Sequence, residues 1–214
     1  MNRSISLLSL ISFSTGLSHA AVTIIGGSIG PILDQTGSPV QLGAVGVLVA
    51  DFSNDGVLNP FGTTLNVNSF VGNGTDDRIL GVFSALDLSG AGDIGYDFSG
   101  VSWEYGGAFG AGDRLHFLWF PSVTTFGSIV SGGLAYGSFT SDLVDVSATN
   151  NWIAAPDGQN VSVVAFGASI GGSPSFPSSA FTATLTAIPE PSSFAALAGL
   201  AVLGMVATRR RRSA

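Results

Sequence analysis

Six consecutive residues, Leu115-His116-Phe117-Leu118-Trp119-Phe120, carry the architecture of this chain. In an extended strand successive side chains point to opposite faces. Leu115, Phe117 and Trp119 therefore share one face, and His116, Leu118 and Phe120 the other. Both faces are bulky and mostly apolar. A strand of this kind needs cover on both sides and belongs in the middle of a sheet.

The residues around it repeat the theme. Val45, Val47 and Val49 alternate with smaller side chains up to Asp51, and Arg78 to Leu88 reads as a second strand. Val101, Trp103 and Tyr105 alternate with Ser102 and Glu104. Leu134 to Thr140 and Val161 to Ser169 read as further strands. Phe181, Ala183, Leu185 and Ala187 alternate with Thr182, Thr184 and Thr186, giving a last half-buried strand. Thirty glycines, with scattered Asn and Asp, supply tight turns between the short apolar runs. The 54–77 stretch, with Asn66, Asn68, Asn73 and Gly74, is long enough for a hairpin plus an exposed excursion. Residues 173–179 read as a loop. No stretch of a dozen residues within the body repeats at helical spacing. The expectation is an all-β, two-sheet sandwich or jelly roll.

Charge narrows the function. Between residues 21 and 188 the cations are Arg78 and Arg114, set against thirteen of the fourteen acidic residues, a formal −11. The chain has no lysine, so phosphate backbones find few partners and nucleic acid is not an expected ligand. Absence of cysteine removes disulfides and thiolate chemistry. Stability must come from an apolar core, which about 170 residues can build.

Several constellations of residues bear on chemistry. Asp51, Ser53 and Asp55, followed by Gly56, place oxygen ligands at alternate positions like the first half of a calcium loop. The twelfth position is Gly62 instead of a carboxylate, so a glycine-containing turn competes with the metal reading. Asp76 and Asp77 could complete such a site from a neighbouring loop. Beyond residue 20, His116 is the sole histidine, so a Ser-His-Asp arrangement must use it and a histidine-rich zinc site is excluded. Asp87, Asp93, Asp97, Glu104 and Asp113 offer carboxylates for glycoside hydrolysis, though most lie near glycine in apparent turns. Trp152, between Asn150-Asn151 and Pro156-Asp157-Gly158, is the expected exposed aromatic and the candidate sugar contact. No catalytic residue is assigned, and no cofactor beyond that calcium option.

The two ends read as addresses. Met1-Asn2-Arg3, an apolar stretch from Ile5 to Leu17, and Ser18-His19-Ala20 describe a signal peptide over 1–20, cut by signal peptidase between Ala20 and Ala21. At the other end Pro189-Glu190-Pro191 is a stiff break. An uncharged run from Ser192 to Thr208 follows, then Arg209-Arg210-Arg211-Arg212. As a helix the run rises roughly 25 Å, and arginine stems can extend it toward the ~30 Å of a hydrocarbon core. Positive charge after an apolar span stays cytoplasmic, which leaves the 21–188 body outside.

At residues 188–212 the chain resembles the PEP-CTERM sorting domain of Gram-negative bacteria. That resemblance implies recognition by exosortase, a membrane-embedded cysteine protease, with Pro189, Glu190, Pro191 and the arginines Arg209, Arg210, Arg211 and Arg212 as the recognition element. It also implies a transient membrane anchor within the 189–214 tail, delivery to the cell surface or extracellular matrix, and association with exopolysaccharide. The expected protein is exported, structural and not an enzyme. A carbohydrate-binding module using exposed aromatics, with or without calcium, is the alternative, and a secreted hydrolase comes third.

Overall fold

The computed structural model describes residues 21–56, 59–72, 74–90, 92–106, 109–141, 152–166 and 178–185. The signal segment, the sorting tail and residues 173–177 lie outside them. Among the described residues there are ten strands: β1 (Val22–Gly30), β2 (Val45–Asp51), β3 (Asp77–Ser84), β4 (Leu86–Asp87), β5 (Ile94–Asp97), β6 (Ser102–Trp103), β7 (Arg114–Phe120), β8 (Ala135–Phe139), β9 (Asn160–Phe166) and β10 (Thr184–Leu185). The one helical element among the described residues is a 3-10 turn, Ser178–Phe181.

These strands form the expected all-β sandwich of two five-stranded sheets. The second sheet runs β10-β8-β7-β2-β3 and is antiparallel throughout. As its double-sided apolar pattern requires, β7 lies at the centre, and its residues from Leu115 to Phe120 are buried on both faces. The first sheet is built around β1. On one edge β1 meets β6 at Val22 and Thr23, then β5 at Ser28 and Ile29, and β4 pairs with β5 beyond. Along the other edge β9 runs parallel to it from Asn160 to Phe166.

Two apolar clusters follow from the alternation. Leu115, Phe117 and Trp119 face inward and pack with Leu48, Ala50 and Leu80 against Val22, Ile24, Ile29, Tyr96, Phe98, Val163 and Ala165 of the first sheet. Leu118 and Phe120 face outward and pack with Val45, Val47, Val49 and Ile79. This outer face is roofed by two chain excursions. Leu65 and Val71 of the 59–72 segment, with Val123 and Val130, are buried on it. The 54–77 stretch is therefore a lid with an apolar underside, not simply an exposed excursion. The lid is laced by backbone hydrogen bonds from Gly62 N to Val130 O (2.9 Å), Val130 N to Thr63 O (2.9 Å), Leu65 N to Ser128 O (3.0 Å) and Gly127 N to Leu65 O (3.0 Å).

Several elements differ from the sequence reading. β5 has no counterpart in it, and the last strand, expected from Phe181 onward, begins instead as the 3-10 turn Ser178–Phe181, with strand pairing at Thr184–Leu185. Arg78 to Leu88 is not one strand: Leu86 and Asp87 belong to the other sheet, and Ala85 carries the crossing. Its N–H donates to Ala44 O and its carbonyl accepts from Gly43 N. β1 was not expected as a strand, because Gly26, Gly27, Ser28 and Gly30 dilute its alternation. Those small residues serve the packing. A Cβ on Gly27 would collide with the Phe98 ring, and one on Gly46 with Phe117 and Tyr96. The bulk needed for burial comes from the opposing aromatic instead.

Gly137 of β8 shows the constraint at its tightest, since a Cβ there would fall within the indole of Trp119. That indole is fully buried and donates Nε1–H to Leu33 O at 3.2 Å. Gly137→Ala should lower unfolding free energy by about 1–3 kcal/mol through overpacking. Gly106→Ala, with open space around the added methyl, should stay within about 0.5 kcal/mol of the parent. Urea unfolding midpoints of the two variants check this.

Candidate functional site

β2 ends at Asp51, which lies opposite Asp77 of β3 on one side and Arg114 of β7 on the other. Asp51 continues the outward parity of Val45, Val47 and Val49, so its carboxylate sits at the edge of the outer cluster. His116 lies opposite Val49 on the same face. Three ionisable side chains thus enter the protein at one end of the second sheet, and Asp51, His116 and Asp77 are all buried.

The 51–56 loop explains how Asp51 tolerates burial. Its Oδ1 accepts from the Ser53 hydroxyl at 3.1 Å, and its Oδ2 accepts from Gly56 N–H at 3.0 Å. His116 Nε2 stands 3.4 Å from Oδ2. Burial pushes the Asp51 pKa up, but the Gly56 and Ser53 hydrogen bonds and the nearby imidazole outweigh it, leaving a net lowering. Asn54 adopts a left-handed conformation (φ 55°) and accepts the Arg114 N–H at 2.8 Å, tying the loop to β7.

Asp77 is in the opposite situation. No hydrogen-bond donor reaches its Oδ1. Burial raises its pKa first, and the charges of Asp51, Asp76 and Asp55 raise it further, to about 7. The two loops holding these carboxylates are joined by Phe52 N donating to Asp76 O at 2.9 Å.

This geometry bears on each chemical candidate. Asp51 and Ser53 come together, but they bond to each other, and Asp55 is exposed. Among the described residues no three Asp, Glu, His or Cys side chains are grouped to hold a metal ion. At His116 the neighbouring hydroxyl of Ser53 donates to the carboxylate, which is not the order in which a hydrolytic triad relays a proton. The carboxylates suggested for glycoside cleavage largely build turns. Asp87 accepts from Gly90 N at 2.8 Å and Gly92 N at 3.0 Å, Asp97 from Ser99 N at 2.9 Å, and Asp113 from Gly110 N at 2.7 Å.

Trp152 requires a correction. The polar neighbours suggested exposure, yet Trp152 is 1% exposed. Its ring meets Phe139 at 5.0 Å and Phe98 at 6.1 Å, and its Nε1 donates to Val164 O at 3.4 Å. The backbone on either side is also engaged, with Leu115 N donating to Trp152 O. A ring used as an inter-sheet plug cannot stack on a sugar. The exposed large apolar side chains include Val67, Phe70, Phe126 and Ile129 on the two roofing excursions. The pattern Thr124-Thr125-Phe126-Gly127-Ser128-Ile129, an aromatic at a glycine turn among hydroxyls, was the available signal for them.

At the C-terminal side, β10 pairs with β8 through Thr184 and Leu185, and a family model described as the PEP-CTERM protein-sorting motif matches residues 187–212. The chain carries a PEP-CTERM sorting signal. The motif implies an exported, membrane-transiting protein that is processed by exosortase. No curated protein and no solved structure matches the chain. Among the described residues no helix is long and apolar enough to cross a membrane; the 192–208 span expected to do so, and the seven PEP-CTERM recognition residues, lie outside them.

Asp77 gives the cluster a measurable pH signature. Its folded pKa lies near 7, above the ordinary carboxylate value, so the folded state holds this proton more tightly than the unfolded chain. The stabilisation is complete below about pH 4 and is lost as pH rises toward and through 7, with a ceiling of about 4 kcal/mol. Asp77→Asn should match the parent near pH 4 and become progressively more stable than it up to pH 8. Parallel stability curves for the two, from denaturant titrations at each pH, would contradict the assignment.

Proposed function

We propose that this chain is a non-enzymatic structural protein of the cell surface or extracellular matrix of a Gram-negative bacterium, associated with exopolysaccharide. Signal peptidase cuts between Ala20 and Ala21. The 189–214 tail then holds the body at the membrane until exosortase cuts near Pro189-Glu190-Pro191. The observation that carries this reading is the abutment of motif and domain. The last described strand ends at Leu185, and the sorting match begins at residue 187. Cleavage at the Pro-Glu-Pro break therefore leaves β10, and the buried Phe181 and Ala183 before it, within the released body. An acidic surface favours a dispersed, hydrated product.

Carbohydrate binding is the second reading. With Trp152 in the core, what supports it is the exposed Phe126 on a hydroxyl- and amide-bearing lid.

Glu190→Ala, or replacement of all four terminal arginines by glutamine, should accumulate a membrane-bound precursor, seen by blotting fractionated cells. The parent protein should yield, by mass spectrometry, an N-terminus at Ala21 and a C-terminus near Pro189. Normal processing and release of both variants would remove the sorting role assigned to these residues.

A further inference from the structure

The lid over the second sheet has two faces. Thr63, Leu65 and Val130 point down into the outer cluster and are buried. Thr64 is bridged to Ile129 in antiparallel register, so these two share the opposite, outward face. Ile129 is 64% exposed, and Phe126 and Val67 are more than half exposed. Asn66 is also exposed, and its side-chain amide lies beside Gly127, next to Phe126. The result is a firmly hydrogen-bonded platform that presents an aromatic ring, an aliphatic side chain, an amide and a hydroxyl together.

Its charge is the distinguishing feature. Residues 59–72 and 121–141 contain no Asp, Glu, Lys, Arg or His, although the body around them is strongly acidic. An anionic polymer would gain nothing from this surface and would be repelled by its surroundings. A cationic partner would prefer the carboxylates elsewhere. An anionic membrane is disfavoured for want of basic side chains. A second copy of the chain needs about 1,000 Å² of buried surface for a stable contact, more than four partly exposed side chains provide. A neutral polymer with both hydroxyls and apolar C–H faces fits each element present: its ring faces lie on Phe126 and Ile129, while its hydroxyls reach Asn66 and Thr64.

We propose that this lid face is a binding site for a neutral polysaccharide, with Phe126 and Ile129 as the stacking floor and Asn66 and Thr64 as the polar contacts. The proposal rests on the carbohydrate-binding reading above and gives it a location and a ligand class. Because these positions project away from the buried Leu65 and Val130, they can be altered without opening the core.

The experiment is native affinity electrophoresis of the full exported protein through gels containing dextran, galactomannan or xyloglucan, with alginate as the anionic control. At least one neutral polymer should retard the parent, and alginate should not. Phe126→Ala and Ile129→Ser should each weaken retardation on the order of tenfold, with urea midpoints unchanged. Retardation that survives both substitutions would overturn this site while leaving carbohydrate binding intact elsewhere on the protein. Absence of retardation in every neutral gel, or equal retardation by alginate, would overturn the site and its ligand class together. Phe126-dependent binding to phosphatidylcholine vesicles, or a Phe126-dependent dimer in sedimentation, would assign the face to lipid or to self-association instead.

Discussion

Phe117 sits where the two sheets press together, and the sandwich depends on that contact. Its ring lies 4.8 Å from Tyr96 of β5 and 5.3 Å from Phe98, which follows directly after β5, and 6.2 Å from Phe83 in its own sheet. Rings of this size fit only where the facing backbone has given up its Cβ atoms, as at Gly27 beneath Phe98 and Gly46 beneath Phe117. The abundance of glycine thus has two origins: some positions turn the chain, and others are mortises for aromatic rings. Glycine in a strand costs backbone entropy, and here the close approach of aromatic faces offsets that cost.

The second consequence of β7 is the roof. A strand apolar on both faces cannot leave one of them in water, so the outer face of β2 and β7 needs cover from outside the two-sheet plan. The 59–72 and 121–130 excursions supply it, and the same backbone ladder that seals Leu65 and Val130 below fixes Phe126 and Ile129 above. Burial on one side of the lid and presentation on the other have one cause. At the end of this face, where the apolar side chains run out, Asp51, Asp77 and His116 take over, and the loops close on them with Ser53, Gly56 and Asn54.

Much of this was legible because strand periodicity is local. The alternation of Val45 to Asp51, the doubled pattern of Leu115 to Phe120 and the buried Phe181 and Ala183 required no knowledge of partners. β1 is not legible in the sequence because its glycines acquire meaning only against distant residues: Ser162 at Gly26, Phe98 at Gly27 and Leu88 at Gly30. Trp152 was misplaced for a related reason, since flanking Asn, Pro and Asp describe the loop and not the ring that anchors it. The Asp51 turn was visible as a spacing, but its chemistry was not: whether a carboxylate faces a cation or its own loop depends on the N–H groups that reach it. The sorting signal needed no fold at all to be recognised, because the order of Pro-Glu-Pro, uncharged run and arginines is carried by the sequence itself.

The position of β1 sets the order in which the protein can assemble. It is the first of the described strands, yet its longest neighbour, β9, comes almost last among them, and the two run parallel from Thr23 to Gly30. Synthesis proceeds from the N-terminus, so β1 must wait for most of the body before its sheet can close. Pairings so distant in sequence form slowly. Until residues near Phe166 are available the long edge of β1 lacks the partner that completes its ladder, so the first sheet is the last part of this sandwich that can seal.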